Sequence, residues 1–156
     1  MKTNAMRILE SERIPFETAS YDVDEECLDA VSAAQKLGVS EDRVFKTIVM
    51  RSDANEIAVF CVSARSEVNL KKARAALGAK EVLPIKSTEL LALTGYIRGG
   101  CSPIGMKKRY RTFIDETAVL HDTIYVSAGV RGTQVILSAE DLARACGAEI
   151  IDVESR

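Results

Sequence analysis

FKTIVM at Phe45–Met50 and EIAVFCVS at Glu56–Ser63 are the two runs whose reading decides the fold. Both are dense in β-branched and aromatic residues, and the polar segment SDAN at Ser52–Asn55 lies between them. That arrangement predicts two strands joined as a hairpin in the most apolar part of the chain. Working outward, Ala5–Arg13 places Met6, Ile8 and Leu9 on a helical pattern before Pro15 stops it, and FETASYD at Phe16–Asp22 alternates like a short strand. Cys27–Leu37 predicts a helix closed by Gly38, and Asn69 caps another that runs to Leu77 with Gly78 beyond it. A short strand near Val82 and a Ser87-capped helix to Leu93 follow. Strands are expected at Thr112–Ile114, Thr123–Ser127 and Gln134–Leu137, then a helix opened by a Ser138/Asp141 capping box and closed by Gly147, then a last strand, EIIDV. Hairpins interleaved with helices predict a mixed α/β fold, a curved sheet flanked by helices, and not a regular parallel βαβ repeat.

At 156 residues and 47% hydrophobic content, the chain is long enough for one domain with a substantial core, and no Pro/Gly/Ser-rich stretch marks a linker. The expectation is a single domain over residues 1–156. MKTNAMRILESERIP carries charges every few residues and no apolar signal region, and no run approaches the roughly 20 apolar residues of a membrane span. A soluble, cytoplasmic protein without membrane partners is the reading. Cysteines at 27, 61, 101 and 146 form no CxxC pair, and there is one histidine, so reduced thiols are expected and a zinc site is not.

Between the helices and the later strands stands TGYIRGGCSPIGMKK, Thr94–Lys108, a glycine-rich loop with a proline and a basic tail. Adjacent glycines let a backbone approach a ligand closely, and free amides can face a phosphate or carbonyl oxygen. The loop matches neither GxxxxGK[ST] nor GxGxxG, which argues against a mononucleotide P-loop or a dinucleotide fold. From Leu90 to Ile114 there are five cations, Arg98, Lys107, Lys108, Arg109 and Arg111, and no acidic residue. With a net charge of −2 for the whole chain, the remainder carries −7. A near-neutral protein does not coat nucleic acid indiscriminately, but one basic face on an acidic body suits docking to a single phosphate-bearing element. A solvated charge run is the plainer alternative.

Lys46 opens the KTIVM strand, and alternation sets it on the face opposite Phe45 and Thr47, placed to hydrogen-bond a carbonyl or phosphate. A strand-edge lysine in water is the competing reading. For nucleophilic catalysis, Cys101 lies within the glycine loop and His121 is the one imidazole, but nothing in the pattern brings them together. Ser102 and Ser127 have no identifiable base. Any hydrolysis then has to use an already activated substrate or a group on the substrate itself.

VFKTIV, LKKARAALGAKEV, TGYIRGGCSPIGMKK and IYVSAGVRGTQVILSAEDL, in that order, resemble the YbaK/EbsC family of aminoacyl-tRNA deacylases, relatives of the editing domain of bacterial prolyl-tRNA synthetase. The resemblance covers nearly the whole chain. It implies a barrel-like mixed, mostly antiparallel sheet surrounded by helices, with no cofactor. It also implies a trans-editing enzyme that cleaves wrongly charged tRNA, Cys-tRNA(Pro) in one branch and Ala-tRNA(Pro) in related ones, with prolyl-tRNA synthetase as a partner. In the cysteinyl case the family is thought to use the substrate's own thiol.

Carried over by position, Lys46 corresponds to the family's essential lysine. Gly99, Gly100, Ser102, Pro103 and Gly105 match its GG-x-SP-x-G loop, Ser127 and Gly129 match its VSAG turn, and Tyr21 aligns with a pocket-edge tyrosine. Gln134 stands where members nearest YbaK have aspartate, and Cys101 where most have an aliphatic residue. Arg98, Lys107, Lys108, Arg109 and Arg111 would then meet the tRNA acceptor stem. A non-catalytic module that holds tRNA or a nucleotide-like ligand through the same basic face is the rival from another class. Patterning alone does not locate a self-complementary surface, so the oligomeric state stays open.

Overall fold

The hairpin is the centre of the molecule. In the computed structural model, which describes residues 1–156, β2 (Phe45–Ser52) and β3 (Ile57–Ser63) pair antiparallel from Phe45↔Ser63 to Arg51↔Ile57. Asn55 takes φ +63° in the turn between them, a left-handed position that asparagine tolerates better than most residues. Two further strands extend this sheet on the β3 side. They are β5 (Arg111–Asp115), parallel to β3, and β8 (Glu149–Ile151), parallel to β5, while the short β4 (Val82–Pro84) closes the other edge beside β2. A second sheet has the order β1-β7-β6, built from β1 (Glu17–Ser20), β6 (Ile124–Val130) and β7 (Thr133–Leu137), all antiparallel.

The barrel-like sheet implied by the resemblance is therefore two sheets that do not close on one another. They meet where β2 begins, through a single parallel bridge between Val44 and Tyr125. Four of the six strand pairings are antiparallel, as expected, and the two parallel ones, β3–β5 and β5–β8, form one side of the larger sheet out to its edge.

Burial explains the sequence of β3. Ala58, Val59, Phe60, Cys61 and Val62 are all fully buried, because the strand is covered on both faces and has no polar side to alternate with. On one face Cys61 joins Phe45, Ile114 and the inner residues of the second sheet under α1 (Asn4–Ser11) and α5 (Ala139–Cys146). On the other, Ala58, Phe60 and Val62 pack with Met50 and Phe113 beneath α3 (Leu70–Leu77), and the rings of Phe60 and Phe113 stack at 5.2 Å.

Helix boundaries follow their caps. Thr3, Asp29, Asn69 and Ser138 accept from the backbone amides that open α1, α2 (Ala30–Leu37), α3 and α5. The expected helix over Cys27–Leu37 thus begins three residues later, because Asp29 takes extended backbone angles and binds the Ser32 amide. Near Ser87 the expected helix is a 3-10 turn leading into α4 (Leu90–Thr94); Glu89, not Ser87, satisfies the free amide of Lys86. At Ser138 half of the capping box forms, with the hydroxyl accepting from Asp141 N at 3.1 Å, while Asp141 turns to Arg144.

The C-terminus is fastened by a buried acid. Asp115, 0% exposed at the end of β5, accepts from Val153 N and Glu154 N through one oxygen and from Thr117 N and Oγ1 through the other. Burial alone would raise its pKa, but these donors, Thr117 foremost, outweigh that and hold the carboxyl below its ordinary 3.8. A depressed pKa means stability that is fully present above the unfolded value near 3.8 and lost as pH falls through the lower folded one. Asp115→Asn is expected to cost about 3 kcal/mol in urea unfolding at pH 7, since all four donors lose a charged acceptor and two of them are left facing an amide NH2. The gap between variant and parent closes below pH 3.8.

Candidate active site

Where the two sheets meet there is a cavity of about 270 Å³. Its floor is the start of the hairpin, Val44–Thr47 and Ala64, and the second sheet contributes Ser127 and Gln134. Tyr21 with Leu28–Ala30 and Ala33 form one wall; Arg98, Gly99 and Cys101 of the glycine loop form the other. Of the residues singled out in the sequence, Lys46, Tyr21, Arg98, Gly99, Ser127 and Gln134 come together here. Alternation holds as read: Lys46 pairs with Val62 on the face away from Phe45. Its Nζ donates to Ala64 O at 3.1 Å and lies 3.4 Å from Glu67 Oε1, with the side chain 22% exposed.

The rest of the glycine loop is not on the cavity wall. Ser102 is fully buried and its hydroxyl accepts from Ile104 N at 3.2 Å, while Pro103 and Gly105 line a separate small hollow. A Cβ on Gly100 would stand 3.0 Å from the backbone nitrogen of Arg131, so this glycine lets the loop lie flat against the β6–β7 hairpin. Gly129, at φ +96°, leaves room for Tyr96, whose ring carbon would be 2.8 Å from an added Cβ. The tyrosine hydroxyl donates to Ile104 O and ties the loop to itself. These residues shape the loop from behind, and Arg131 Nε pins its front by donating to Arg98 O at 2.9 Å.

The expected single basic face is divided. Arg111 stacks on Phe113, donates to Ala76 O at 3.0 Å and pairs with Glu56 at 3.5 Å, so it serves the α3 side of the large sheet. Arg109 leans on the end of α5, where its guanidinium lies 3.4 Å from Ala145 O. Lys107 and Lys108 are exposed, and Arg98 alone of the five lines the cavity.

Asp29 is the residue that sequence reasoning missed. It is the one carboxylate lining the cavity, and it caps α2 through Ser32 N at 3.2 Å and Ser32 Oγ at 2.6 Å. Hydrogen bonding from Ser32 holds its carboxyl below the ordinary range, and the charge of Lys46 acts in the same direction against a desolvation cost. The signal lay in DAVS, an N-cap aspartate followed three residues on by serine, hidden by starting the helix at Cys27.

No activated nucleophile lines the cavity. Ser127 Oγ accepts from Gly129 N at 3.1 Å, and burial pushes the Cys101 thiol up to about 12. His121, at the end of a 3-10 turn after β5, does not reach the cavity lining. Thr47 Oγ1 is buried with no oxygen or nitrogen partner, its cross-strand neighbour being the Cys61 thiol. No group of three or more His, Cys, Asp or Glu side chains is arranged to hold a metal ion, and no helix is long and apolar enough to cross a membrane.

A family model described as "Aminoacyl-tRNA editing domain" matches residues 24–145. The chain is 38% identical over 155 residues to a protein of Enterococcus faecalis provisionally named Cys-tRNA(Pro)/Cys-tRNA(Cys) deacylase EbsC, covering 99% of this chain and 94% of that one. It is 25% identical over 133 residues to YwhH of Bacillus subtilis, an uncharacterised protein, covering 85% and 80% of the two. Among solved structures, one described as a candidate trans-editing enzyme for prolyl-tRNA synthetase superposes over the whole of both chains with a TM-score of 0.82 at 19% identity. A hypothetical protein gives a TM-score of 0.87 at 21% identity over 96% of this chain and 97% of that one. These two likenesses establish the fold. With the family model spanning the cavity-forming segments from Leu28 to Gln134, and a relative at 38% identity along nearly its full length, the chain belongs to the aminoacyl-tRNA editing domain family of deacylases.

Proposed function

We propose that residues 1–156 act as one trans-editing unit in the cytoplasm, removing the amino acid from mischarged tRNA, with Cys-tRNA(Pro) as the substrate and prolyl-tRNA synthetase as the enzyme whose errors it corrects. The observation that carries the chemistry is a cavity with a lysine at its floor and no nucleophile able to attack. The Enterococcus relative, 38% identical, bears a Cys-tRNA(Pro)/Cys-tRNA(Cys) deacylase name, which supports the cysteinyl choice. About 270 Å³ is just under the roughly 300–1,000 Å³ of sites that bury a drug-sized ligand. One aminoacyl group fits; the remainder of the acceptor end stays outside, beside Arg98, with the exposed Lys107 and Lys108 further along the same loop.

In this reading Lys46 donates to the ester, holding its carbonyl or the adjoining ribose oxygen, with the Gly99 backbone forming part of the facing wall. The cysteinyl sulfur then attacks its own carbonyl carbon. The carbon–sulfur bond forms as the bond to the ribose oxygen breaks, the thiol proton passes to that oxygen, and the strained thiolactone left behind is opened by water. Tyr21, Ser127 and Gln134 bound the space for the side chain. Gln134 is neutral, and Asp29 supplies the negative charge that the substrate's α-ammonium needs.

Incubating catalytic amounts of the protein with Cys-tRNA(Pro), Ala-tRNA(Pro) and Pro-tRNA(Pro) tests the assignment. Multiple-turnover loss of cysteine alone is expected, and Lys46→Ala should lower kcat/KM by roughly 100-fold, the scale of losing one preorganised donor. Stoichiometric, salt-sensitive binding without ester loss would instead favour the tRNA-holding module.

Asp29→Asn keeps a good helix cap, so the protein should remain folded while KM for the free α-amino substrate rises about tenfold, the measure of one lost charge-assisted contact. The N-acetylated substrate, which has no ammonium, should be indifferent to the change. Iodoacetamide at pH 8 should modify the exposed Cys27 and leave Cys101 and Cys146, both pushed to about 12, untouched, with activity unchanged. Rapid alkylation of Cys101 with loss of activity would restore a protein nucleophile to the mechanism.

A further inference from the structure

The final residues of the chain lie along the segment that follows β3. Asn69 N donates to Val153 O at 2.8 Å, Ser155 N donates to Glu67 O at 2.9 Å, and Val68 and Glu154 form an antiparallel bridge. Glu154 is 5% exposed, and its carboxylate accepts from Ser63 N at 3.0 Å, Ser63 Oγ at 3.2 Å and Ser66 Oγ at 3.3 Å. A desolvated carboxylate is costly unless its lone pairs are used, and here every close donor belongs to one turn, with Arg156 a further 3.7 Å neighbour.

That turn is the one that holds Lys46. Ala64 O and Glu67 Oε1 are the two acceptors of the Lys46 ammonium, and Ala64 N donates to Val44 O at 2.8 Å, fixing the turn against the cavity floor. The position of the turn is therefore set from two sides, by the strand before it and by Glu154 behind it. Glu154 does not line the cavity.

We infer that Glu154 is a positioning residue for Lys46: its buried carboxylate locks the Ser63–Glu67 turn, and the turn sets where the lysine ammonium stands. The catalytic half of this inference rests on Lys46 being the group that holds the ester. The positional half does not, and the two separate by experiment. A carboxylate that merely stabilised the fold would change the unfolding midpoint and leave a folded protein's Lys46 as it was.

The test pairs Glu154→Gln with the milder Ser66→Ala, each confirmed folded by circular dichroism at the assay temperature. Lys46 acetylation by limiting acetic anhydride is read by peptide mass spectrometry against the exposed Lys108 as internal reference. Released from its acceptors, Lys46 is expected to label at least about threefold faster in Glu154→Gln, while kcat for deacylation falls roughly tenfold and KM stays within about twofold, the pattern of a misplaced group. Ser66→Ala should move both readouts in the same direction and by less. If Glu154→Gln fails to fold, Ser66→Ala decides by the same two readouts. Unchanged Lys46 labelling in the folded variants overturns the inference. Faster labelling with no change in kcat keeps the lock on Lys46 but overturns its catalytic half. Absence of deacylation by the parent protein on every aminoacyl-tRNA overturns the deacylase assignment alone, since the labelling ratio still reports on Glu154.

Discussion

Everything in this molecule depends on β3 being buried from both sides. A strand without a polar face cannot sit at the rim of a sheet, so it must take a partner on each edge and a layer on each face. β2 and β5 supply the edges, α3 covers one face, and the smaller sheet with α1 and α5 covers the other. The cavity arises where that second cover stops, at the beginning of β2. Because the floor belongs to the most extensively paired strands, Lys46 stands on backbone held in register by its partner Val62.

The apparent weakness of the site, its lack of a nucleophile, is consistent with the rest of its chemistry. An aminoacyl ester needs its carbonyl polarised and its own reactive atom oriented, and both are tasks for fixed donors and shape. Serine hydroxyls near the cavity are spent on turn hydrogen bonds, and the one thiol on its wall is kept protonated by burial. Catalysis that borrows the attacking atom from the substrate also discriminates by chemistry: a side chain without a thiol in reach of the carbonyl is left alone, however well it fits.

Much of this was legible in the sequence where a local pattern carried it. The hairpin, the Gly38, Gly78 and Gly147 helix ends, and Lys46 on its strand follow from periodicity and turn chemistry. What was illegible depended on long-range geometry. The composition of TGYIRGGCSPIGMKK marks a ligand loop, but it does not say that Gly100 faces the β6–β7 hairpin or that Ser102 is turned inward. The basic run reads as one face because its members are close in sequence. Arg111 belongs to a strand and Arg98 to a loop, and the fold sends them to different sides. Asp29 was hidden by a three-residue error in a helix start, and Glu154 by its distance of 91 residues from Ser63.

The single Val44–Tyr125 bridge between the sheets divides labour across the cavity. Lys46 is carried by the larger sheet, whereas Ser127 and Gln134 are carried by the smaller one, whose backbone joins the other's only at that bridge. Replacements on β6 and β7 therefore reshape one side of the cavity while Lys46 keeps its place on the other. Such a division makes the scaffold evolvable: one wall of the cavity can drift with the smaller sheet while the larger sheet hands on the lysine.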